Sequence, residues 1–359
     1  MNLTIILFII ILSVALYIYN IWNRQIFGGN DNFKDMLKHE GYLSNEIQVI
    51  MNSLYAEKIK EPLIDSLSAK LKYRTLPKNR YTYRIHIGQR KLLMNEILFM
   101  TKYGHLSDKV VYAGAAHGIH IPLLAQLFPK HKFDLWDPGD FKISDTNQIK
   151  IFNKYFTDEI AATYKGQKIL FISDIRTGNP SMSFEEFEKE VETNNQWQRN
   201  WIEIMKPSMS MLKFRIPFTI KEKYEYFSGD IYLQPWAPVD SAETRLITDG
   251  KQMQKYDLID YENRMYYYNN ILREFQWIKH NIPTNKVKGL CHCHDCTYEI
   301  YIWKKCFEKQ KFKGNKLHEK IIWAMNEAND IIGRTLFIKD HGKFPMLRMP
   351  EKRKKLESL

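Results

Sequence analysis

Between residues 89 and 248, short apolar runs alternate with segments of helical periodicity. Parallel strands need long crossover connections, usually helices, so this alternation is typical of a mostly parallel sheet with helices on its faces. Three of the apolar runs are predicted strands, at residues 109–116, 132–136 and 168–173. A predicted helix at residues 118–128 has Pro122 in its first turn and ends before Pro129. We therefore expect an α/β fold of the Rossmann-like type.

The alternation continues through the second half of this region. Ser183 followed by Glu186 is a capping box, which predicts the start of a long helix that ends near Met205. Further elements are predicted as strands at residues 211–218, 230–236 and 243–248, and as a helix at residues 256–275. The complete pattern predicts a sheet whose ligands bind at the carboxyl ends of its strands.

Three features fall at the carboxyl ends of predicted strands: the turn from Gly114 to Gly118, Asp137 and Asp174. An acid about 20 residues after a glycine turn can bind both hydroxyls of a ribose. The turn reads G-x-x-x-G, which is neither the G-x-G-x-x-G dinucleotide fingerprint nor a P-loop. A nucleoside cofactor without a pyrophosphate, S-adenosylmethionine, therefore fits this edge better. Tight backbone packing is the alternative reason for the glycines.

Four ionisable residues stand in strongly apolar segments: Lys91, Asp174, Lys213 and Glu243. A charge inside a buried strand is costly unless it is paired. One such residue suggests a site, and four together suggest a network. The alternative for each residue alone is a charge at the end or edge of a strand that reaches solvent.

The sequence resembles a known family through seven segments in the same order and with similar spacing. They are Gly88–Leu93, Val110–His120, Ile169–Arg176, Leu212–Phe218, Leu233–Pro238, Ser241–Leu246 and Tyr261–Asn269. These segments are similar to those of the poxvirus cap-specific mRNA nucleoside-2′-O-methyltransferases, which in poxviruses are also the small, stimulatory subunit of poly(A) polymerase. The resemblance covers roughly residues 85–275 and implies a large DNA virus, of the giant-virus kind, as the source.

The resemblance implies a role for each site residue. The family's catalytic tetrad falls on the four charged residues Lys91, Asp174, Lys213 and Glu243. The implied S-adenosylmethionine contacts are Gln89, Tyr112, Gly114, Gly118, Asp137 and Asp174. Phe218 and Glu262 match positions that hold the methylated guanine of the cap, and Arg215 matches a neighbour of these. The second cap-stacking tyrosine of the family corresponds to Tyr73, Tyr81 or Tyr83.

The implied activity is methyl transfer from S-adenosylmethionine to the ribose 2′-hydroxyl of the nucleotide next to the 5′ cap of mRNA. Lys213 is the candidate for orienting or deprotonating that hydroxyl, and a neutral lysine requires burial or a neighbouring cation such as Lys91. Stimulation of the poly(A) polymerase catalytic subunit is an implied second role. The alternative is a catalytically silent RNA-binding subunit, but such a clamp has no need of Lys213 and Glu243 together.

Residues 3–22 are almost continuously apolar and carry no charge. About 20 such residues span a bilayer as a helix. Interfacial aromatic residues, Tyr17, Tyr19 and Trp22, cluster at the end of the run, and Arg24 follows them. A cleaved signal peptide is the alternative, but it would need a basic segment before the run. We therefore expect a membrane anchor with the catalytic body facing the cytoplasm of an infected host cell, and the virion as a second location.

Composition narrows the range of partners. The formal charge of +12, from 53 Lys and Arg against 41 Asp and Glu, suits nucleic acid or an anionic membrane face. Aromatic residues make up 14% of the chain, which suits base stacking, although a coding bias would enrich Lys, Asn, Ile, Tyr and Phe together. With 16 Gly and 13 Pro among 359 residues, the chain is neither collagen-like nor of low complexity.

The four cysteines, Cys291, Cys293, Cys296 and Cys306, are too few for a disulfide-dense secreted scaffold. They could supply enough ligands for zinc, but their spacing is not C-x₂-C…C-x₂-C. We interpret them as reduced core cysteines or a surface loop and predict no metal, with structural zinc as the alternative.

The sequence predicts four segments. They are a transmembrane anchor (1–25), a linker with an N-terminal helical region (26–80), a methyltransferase domain (81–305), and a C-terminal helical extension with a basic tail (306–359).

Overall fold

The computed structural model describes most of the chain from residue 34 to residue 332. The described ranges are 34–35, 37–38, 41–54, 59–64, 69–73, 87–178, 181–220, 223–238, 241–273, 276 and 278–332. The predicted anchor and the basic tail lie outside these ranges. Among the residues described, no helix is both long and apolar enough to cross a membrane.

Within these ranges the chain alternates helices and strands as the sequence predicts. The helices are α1 (Ser44–Leu54), α2 (Gly88–Tyr103), α3 (Ile121–Leu127), α4 (Asp158–Thr163), α5 (Phe184–Met205), α6 (Leu258–Tyr267), α7 (His294–Lys309) and α8 (Gly314–Ile332). The strands are β1 (Leu63–Ile64), β2 (Lys109–Ala113), β3 (Lys132–Trp136), β4 (Ile149–Phe152), β5 (Leu170–Ser173), β6 (Met209–Phe214), β7 (Tyr224–Phe227), β8 (Asp230–Tyr232), β9 (Thr244–Thr248) and β10 (Met253–Tyr256).

Eight of these strands form one sheet in the order β1-β8-β9-β6-β5-β2-β3-β4. The five strands from β6 to β4 are parallel, and β9, β8 and β1 add to one side as antiparallel neighbours. From β2 the chain first runs outward to β3 and β4 and then returns to β5 on the other side. This reversal between β2 and β5 makes a crevice at the carboxyl ends of the two strands, where ligands of open α/β sheets bind.

Both faces of the sheet are buried, which explains why its strands read as continuous apolar runs. Along β2, Val110 and Tyr112 face one core cluster, while Val111 and Ala113 face the other. Helices α2, α3, α7 and α8 pack in the first cluster, and α4, α5 and α6 pack in the second. The expected mostly parallel α/β sheet with flanking helices, a Rossmann-like fold, is confirmed.

Prolines and a helix irregularity shorten three predicted elements. The strand predicted at residues 211–218 ends at Phe214, three residues before Pro217. The strand predicted at 230–236 ends at Tyr232, because Pro235 has no N–H with which to continue a ladder. The helix predicted at 256–275 is α6 followed by a π-helical turn from Tyr268 to Leu272. Five short elements of the described residues were not predicted: β1, β4, α4, β7 and β10.

The ends of the methyltransferase domain were predicted at residues 81 and 305. The boundary between residues 305 and 306 falls inside α7. Trp303 and Phe307, on either side of it, stack on each other and belong to one core cluster.

Candidate active site

The predicted glycine turn follows β2 at the crevice. Gly114 and Gly118 both adopt left-handed backbone conformations, with φ of +83° and +73°. A Cβ atom at Gly114 would lie 2.8 Å from the backbone carbonyl carbon of Asp174, which follows β5. Gly114 is therefore required by close backbone packing, and the same packing brings the ends of β2 and β5 together at the edge where a ligand would bind.

Asp137, at the end of β3, is fixed to this turn by backbone hydrogen bonds. Its Oδ2 accepts from the amide of Ala116 at 3.1 Å, and its Oδ1 accepts from the amide of Gly139 at 2.7 Å. The side chain is half-exposed. A carboxylate has about four acceptor positions, so two remain for the hydroxyls of a ligand.

Behind the turn, two residues that were predicted as cofactor contacts, Gln89 and Tyr112, are joined through two that were not predicted, His120 and Glu96. Gln89 Oε1 contacts His120 Nδ1 at 2.7 Å, and His120 Nε2 pairs with Glu96 Oε2 at 2.8 Å. The Tyr112 hydroxyl donates to Glu96 at 2.7 Å. The pKa of Tyr112 is raised well above its ordinary value, mainly by burial and to a lesser extent by the neighbouring charge of Glu96. The Tyr112 hydroxyl is therefore engaged inside the core. The sequence feature that could have indicated these contacts is the single glutamate within the apolar segment from Leu92 to Met100.

The four predicted charged residues, Lys91, Asp174, Lys213 and Glu243, come together at this edge and form what we call the charged network. Lys91 Nζ lies 2.6 Å from Glu243 Oε1. Lys213 Nζ lies 3.2 Å from Asp174 Oδ1 and 3.5 Å from Glu243 Oε2. Their side chains are 10–16% exposed, so the network is shielded but open to a ligand.

Arg245 is a fifth member of this environment that sequence reasoning missed. It stands directly opposite Lys213 in the β6–β9 pair. Its Nη2 lies 2.6 Å from Asp174 Oδ1 and 3.4 Å from Glu243 Oε1, and only 2% of its side chain is exposed. The signal was an arginine within the apolar strand β9. Three cations thus surround two carboxylates.

These cations decide the ionisation of the two carboxyls. Burial alone would raise the pKa of Asp174, but Arg245 and the two lysines hold it below its ordinary value. The pKa of Glu243 is held well below its ordinary value against burial, most strongly by Lys213. Burial lowers the pKa of Lys91 against the attraction of Glu243. A carboxyl group whose pKa is lower in the folded state than in the unfolded state stabilises the fold at pH values above its unfolded-state pKa. This stabilisation is lost as the pH falls through the folded-state pKa.

A second group, the Phe218 patch, consists of Glu188, Arg215 and Phe218. Arg215 Nη1 and Nη2 donate to the two carboxylate oxygens of Glu188 at 2.9 and 2.6 Å. The amide of Phe218 donates to Glu188 Oε2 at 2.5 Å, and the Arg215 guanidinium lies 4.3 Å from the centre of the Phe218 ring. Glu188 was not predicted, and it fixes the positions of both predicted residues.

Glu262 on α6 faces this patch. The pKa of Glu262 is raised above its ordinary value, mainly by burial. Arg215 opposes this shift, and Glu188 adds to it. Among the three candidate tyrosines, Tyr81 and Tyr83 lie outside the described residues. The amide of Tyr73 donates to Asn263 Oδ1 at 2.8 Å, next to Glu262, and 54% of Tyr73 is exposed.

Arg176, three residues after β5, interacts electrostatically with members of both the charged network and the Phe218 patch. The pKa of Arg176 is below its ordinary value, mainly because of burial. Glu243 opposes this shift, and Arg215 adds to it. The Nη1 atom of Arg176 is buried and makes no hydrogen bond within the described part of the chain. Sequence reasoning did not single out this residue.

A crevice beside a glycine turn, with a buried charged centre at the same edge, is typical of Rossmann-like α/β proteins that bind nucleoside ligands. Comparison with known families narrows this class. The sequence model of the family described as "Poly A polymerase regulatory subunit" matches residues 18–327, so the chain belongs to that family. The family expected from the sequence is thereby confirmed.

Relatives from Myxoma virus and Fowlpox virus have the name cap-specific mRNA (nucleoside-2′-O-)-methyltransferase. The protein of Myxoma virus (strain Lausanne) is 27% identical over 281 residues, which are 72% of this chain and 82% of the relative. The protein of Fowlpox virus (strain NVSL) is 30% identical over 271 residues, which are 67% of this chain and 85% of the relative.

Proposed function

We propose that this chain is a cap-specific mRNA nucleoside-2′-O-methyltransferase that uses S-adenosylmethionine. The observation that carries the proposal is the buried network of Lys91, Asp174, Lys213 and Glu243 at the ligand edge of the sheet. The names of the two poxvirus relatives support the same activity. A catalytically silent RNA-binding subunit would have no use for two lysines and two carboxylates buried together, since buried charges are costly.

The residues at the crevice fit the cofactor. Asp137 is half-exposed and keeps acceptor capacity for two ribose hydroxyls, while Gly114 and Gly118 present no side chains at the turn. Gln89 lies at the start of α2 on the same side and is held by His120. When bound, S-adenosylmethionine supplies a methyl group that is already activated by its sulfonium.

The protein must aim a weak nucleophile, the ribose 2′-hydroxyl, and take up its proton. We assign both tasks to Lys213. Asp174 and Glu243 hold the Lys213 amine in place. Arg245 and Lys91 in turn hold these two carboxylates in place.

The Phe218 patch would select the cap. Phe218 is half-exposed, as a ring that stacks on a methylated guanine must be. Glu262, which interacts electrostatically with Arg215 and Glu188 of the same patch, would accept hydrogen bonds from the guanine ring. Arg215 is fully engaged by Glu188 and stands against the Phe218 ring, so we assign it a positioning role. Tyr73 is our candidate for the second stacking ring, because its backbone is fixed to α6 beside Glu262.

Replacement of Phe218 tests this function. We expect Phe218→Ala to weaken the preference for capped over uncapped RNA by about 10- to 100-fold, because base–aromatic stacking contributes about 1–3 kcal/mol. Methyl transfer to capped and uncapped RNA is measured as a function of salt. RNA binding weakens with salt in both proteins, since phosphate contacts release counterions, whereas cap preference in the wild type persists.

Tyr155→Ala is the matched control, because Tyr155 is 67% exposed and follows β4, four strands away from β6. It should leave cap preference unchanged. A Phe218→Ala enzyme that still prefers capped RNA, or a wild-type protein that methylates no RNA, would contradict the proposal.

We further propose that residues 3–22 anchor the protein in a membrane with the catalytic body on the cytoplasmic side. The support is the uncharged apolar run with aromatic residues at its end and Arg24 after it. Full-length protein should sediment with membranes and resist alkaline carbonate, while deletion of residues 1–25 should leave a soluble enzyme with unchanged turnover. Release of the full-length protein by carbonate would refute the anchor without affecting the proposed activity.

The description of the family supports a second role, stimulation of a poly(A) polymerase catalytic subunit. Tail extension by that subunit from the same virus, with and without this protein, is the direct measurement. No increase in tail length would remove this role and leave methyl transfer unaffected.

A further inference from the structure

Cys291, Cys293 and Cys296 converge at the N-terminus of α7. Their three sulfur atoms all lie within 4.8 Å of one another. Cys293 is the residue that precedes the first turn of the helix, and Cys296 lies within that turn. None of the three is in a disulfide. We propose that these three thiolates bind one zinc ion.

The sulfur positions fit the geometry of zinc. A tetrahedral site with zinc–sulfur bonds of about 2.3 Å places its sulfur atoms about 3.8 Å apart. The Sγ atoms of Cys291 and Cys296 are 3.8 Å apart. Binding replaces the three thiol protons by one Zn²⁺ and releases the protons to solvent, and the positive end of the helix dipole favours the three thiolates.

Cys306 is not part of this site. It lies ten residues after Cys296 on the same helix, which is about 15 Å along the axis. Its side chain is buried, and Gln310 Nε2 lies 3.7 Å from its sulfur. The C-x-C-x₂-C spacing of the first three cysteines, rather than a set of four, is therefore the ligand pattern.

Two histidines lie near the main chain of the cysteine segment. His280 Nε2 contacts the carbonyl oxygen of Cys291 at 3.0 Å, and the rings of His280 and His292 have centres 4.2 Å apart. A catalytic zinc keeps a position for water, whereas a structural zinc is closed by a fourth protein ligand. Among the described residues, no fourth Cys, His, Asp or Glu ligand atom joins the three sulfur atoms within 4.8 Å, so water would occupy the fourth position.

The site would join the loop before α7 to the helix itself. The amide of Ile278 donates to the His292 carbonyl at 3.1 Å, and Thr297 Oγ1 donates to the Ile278 carbonyl at 3.2 Å. Asp295, between two of the ligands, pairs with Arg273 at 2.8 Å, and Arg273 in turn donates to the Ala237 carbonyl at 2.9 Å. Zinc would therefore fix a segment that supports the strand connection beside the charged network.

Metal content tests the proposal directly. Full-length protein purified without chelators from zinc-supplemented cells should contain about one zinc per chain, with three sulfur ligands by X-ray absorption at the zinc edge. Cobalt substitution should give the intense visible bands of a tetrahedral site with thiolate charge transfer. Cys291→Ala and Cys296→Ala should lose the metal, whereas the matched variant Cys306→Ala should retain it.

Stability gives a second readout that does not depend on methyl transfer. A strong chelator should lower the Tm of the wild type by several degrees and leave the Tm of Cys291→Ala unchanged. Cys291 is half-exposed, so its replacement should not prevent folding. Wild-type protein without bound zinc, metal loss in Cys306→Ala equal to that in Cys291→Ala, or a mass that shows a Cys291–Cys296 disulfide would each overturn the proposal.

Discussion

Lys213→Met should abolish methyl transfer, by about a thousandfold or more, while S-adenosylmethionine and capped RNA still bind. Methionine fills the same volume but can neither orient the 2′-hydroxyl nor take up its proton. The carboxylates that lose this cation keep two others, because Asp174 remains paired with Arg245 and Glu243 with Lys91. The network should therefore remain folded.

Single-turnover transfer of a labelled methyl group measures the chemical step, and calorimetry measures binding of cofactor and of capped RNA. Lys255→Met is the matched control, because Lys255 is also in a strand but is exposed to solvent. Lys213→Arg separates the two tasks of the side chain. Arginine keeps a positive hydrogen-bond donor but does not give up its proton, so orientation without proton uptake should leave transfer severely impaired.

Near-wild-type turnover in Lys213→Met would remove Lys213 from the mechanism. Loss of cofactor binding in the same variant would mean that the lysine holds the ligand instead of acting on the hydroxyl. Since Lys255→Met changes only an exposed lysine, a fall in its turnover would indicate a general effect of net charge on RNA binding.

The charged network could be predicted because its charged residues stand out within or next to apolar segments of the sequence. Lys213 and Asp174 stand within or directly after apolar strands, and that position alone indicates a need for partners. The strand order was not predicted, and strands β4 and β10, each of only four residues, were missed.

The partners themselves could not be predicted, because they lie far apart in the chain. Glu96 and Glu188 each stand in a helix as buried carboxylates. Glu188 meets Arg215 across 27 positions, and Glu96 meets His120 across 24 positions. The sequence indicates that a buried carboxylate needs a partner of opposite charge. It does not identify the partner, because several cations in the chain could serve and only the fold brings one of them close.

Among the ion pairs of the described residues, the longest separation is between Arg90 and Glu299, which are 209 positions apart. Both side chains are fully buried, and two guanidinium nitrogens lie 2.5 and 2.8 Å from the two oxygens of Glu299. The indole nitrogens of Trp236 and Trp303 donate to the same carboxylate at 2.9 and 3.2 Å. Glu299 thus joins α2, α7 and the segment that follows β8, directly behind Lys91.

Glu299→Ala should lower the free energy of unfolding by about 3–5 kcal/mol, because the buried Arg90 guanidinium loses the carboxylate with which it pairs. Urea unfolding at neutral pH measures the change. Glu203→Ala is the matched control, since Glu203 also pairs with an arginine on a helix, Arg199 at 2.9 Å, but 54% of the Glu203 side chain is exposed. That variant should lose no more than about 0.5 kcal/mol.

The double variant Arg90→Met with Glu299→Leu distinguishes two causes of the destabilisation. One is the loss of the attraction between the two side chains, and the other is the cost of a buried charge that has lost this partner. If that buried charge is the main cost, the double variant should be more stable than Glu299→Ala, because neither buried position then carries a charge. A double variant as unstable as the sum of its two single changes would instead show that the pair itself is strongly attractive. A Glu299→Ala protein no less stable than Glu203→Ala would show that water reaches Arg90 and that the helix carrying Lys91 is held in place by apolar packing alone.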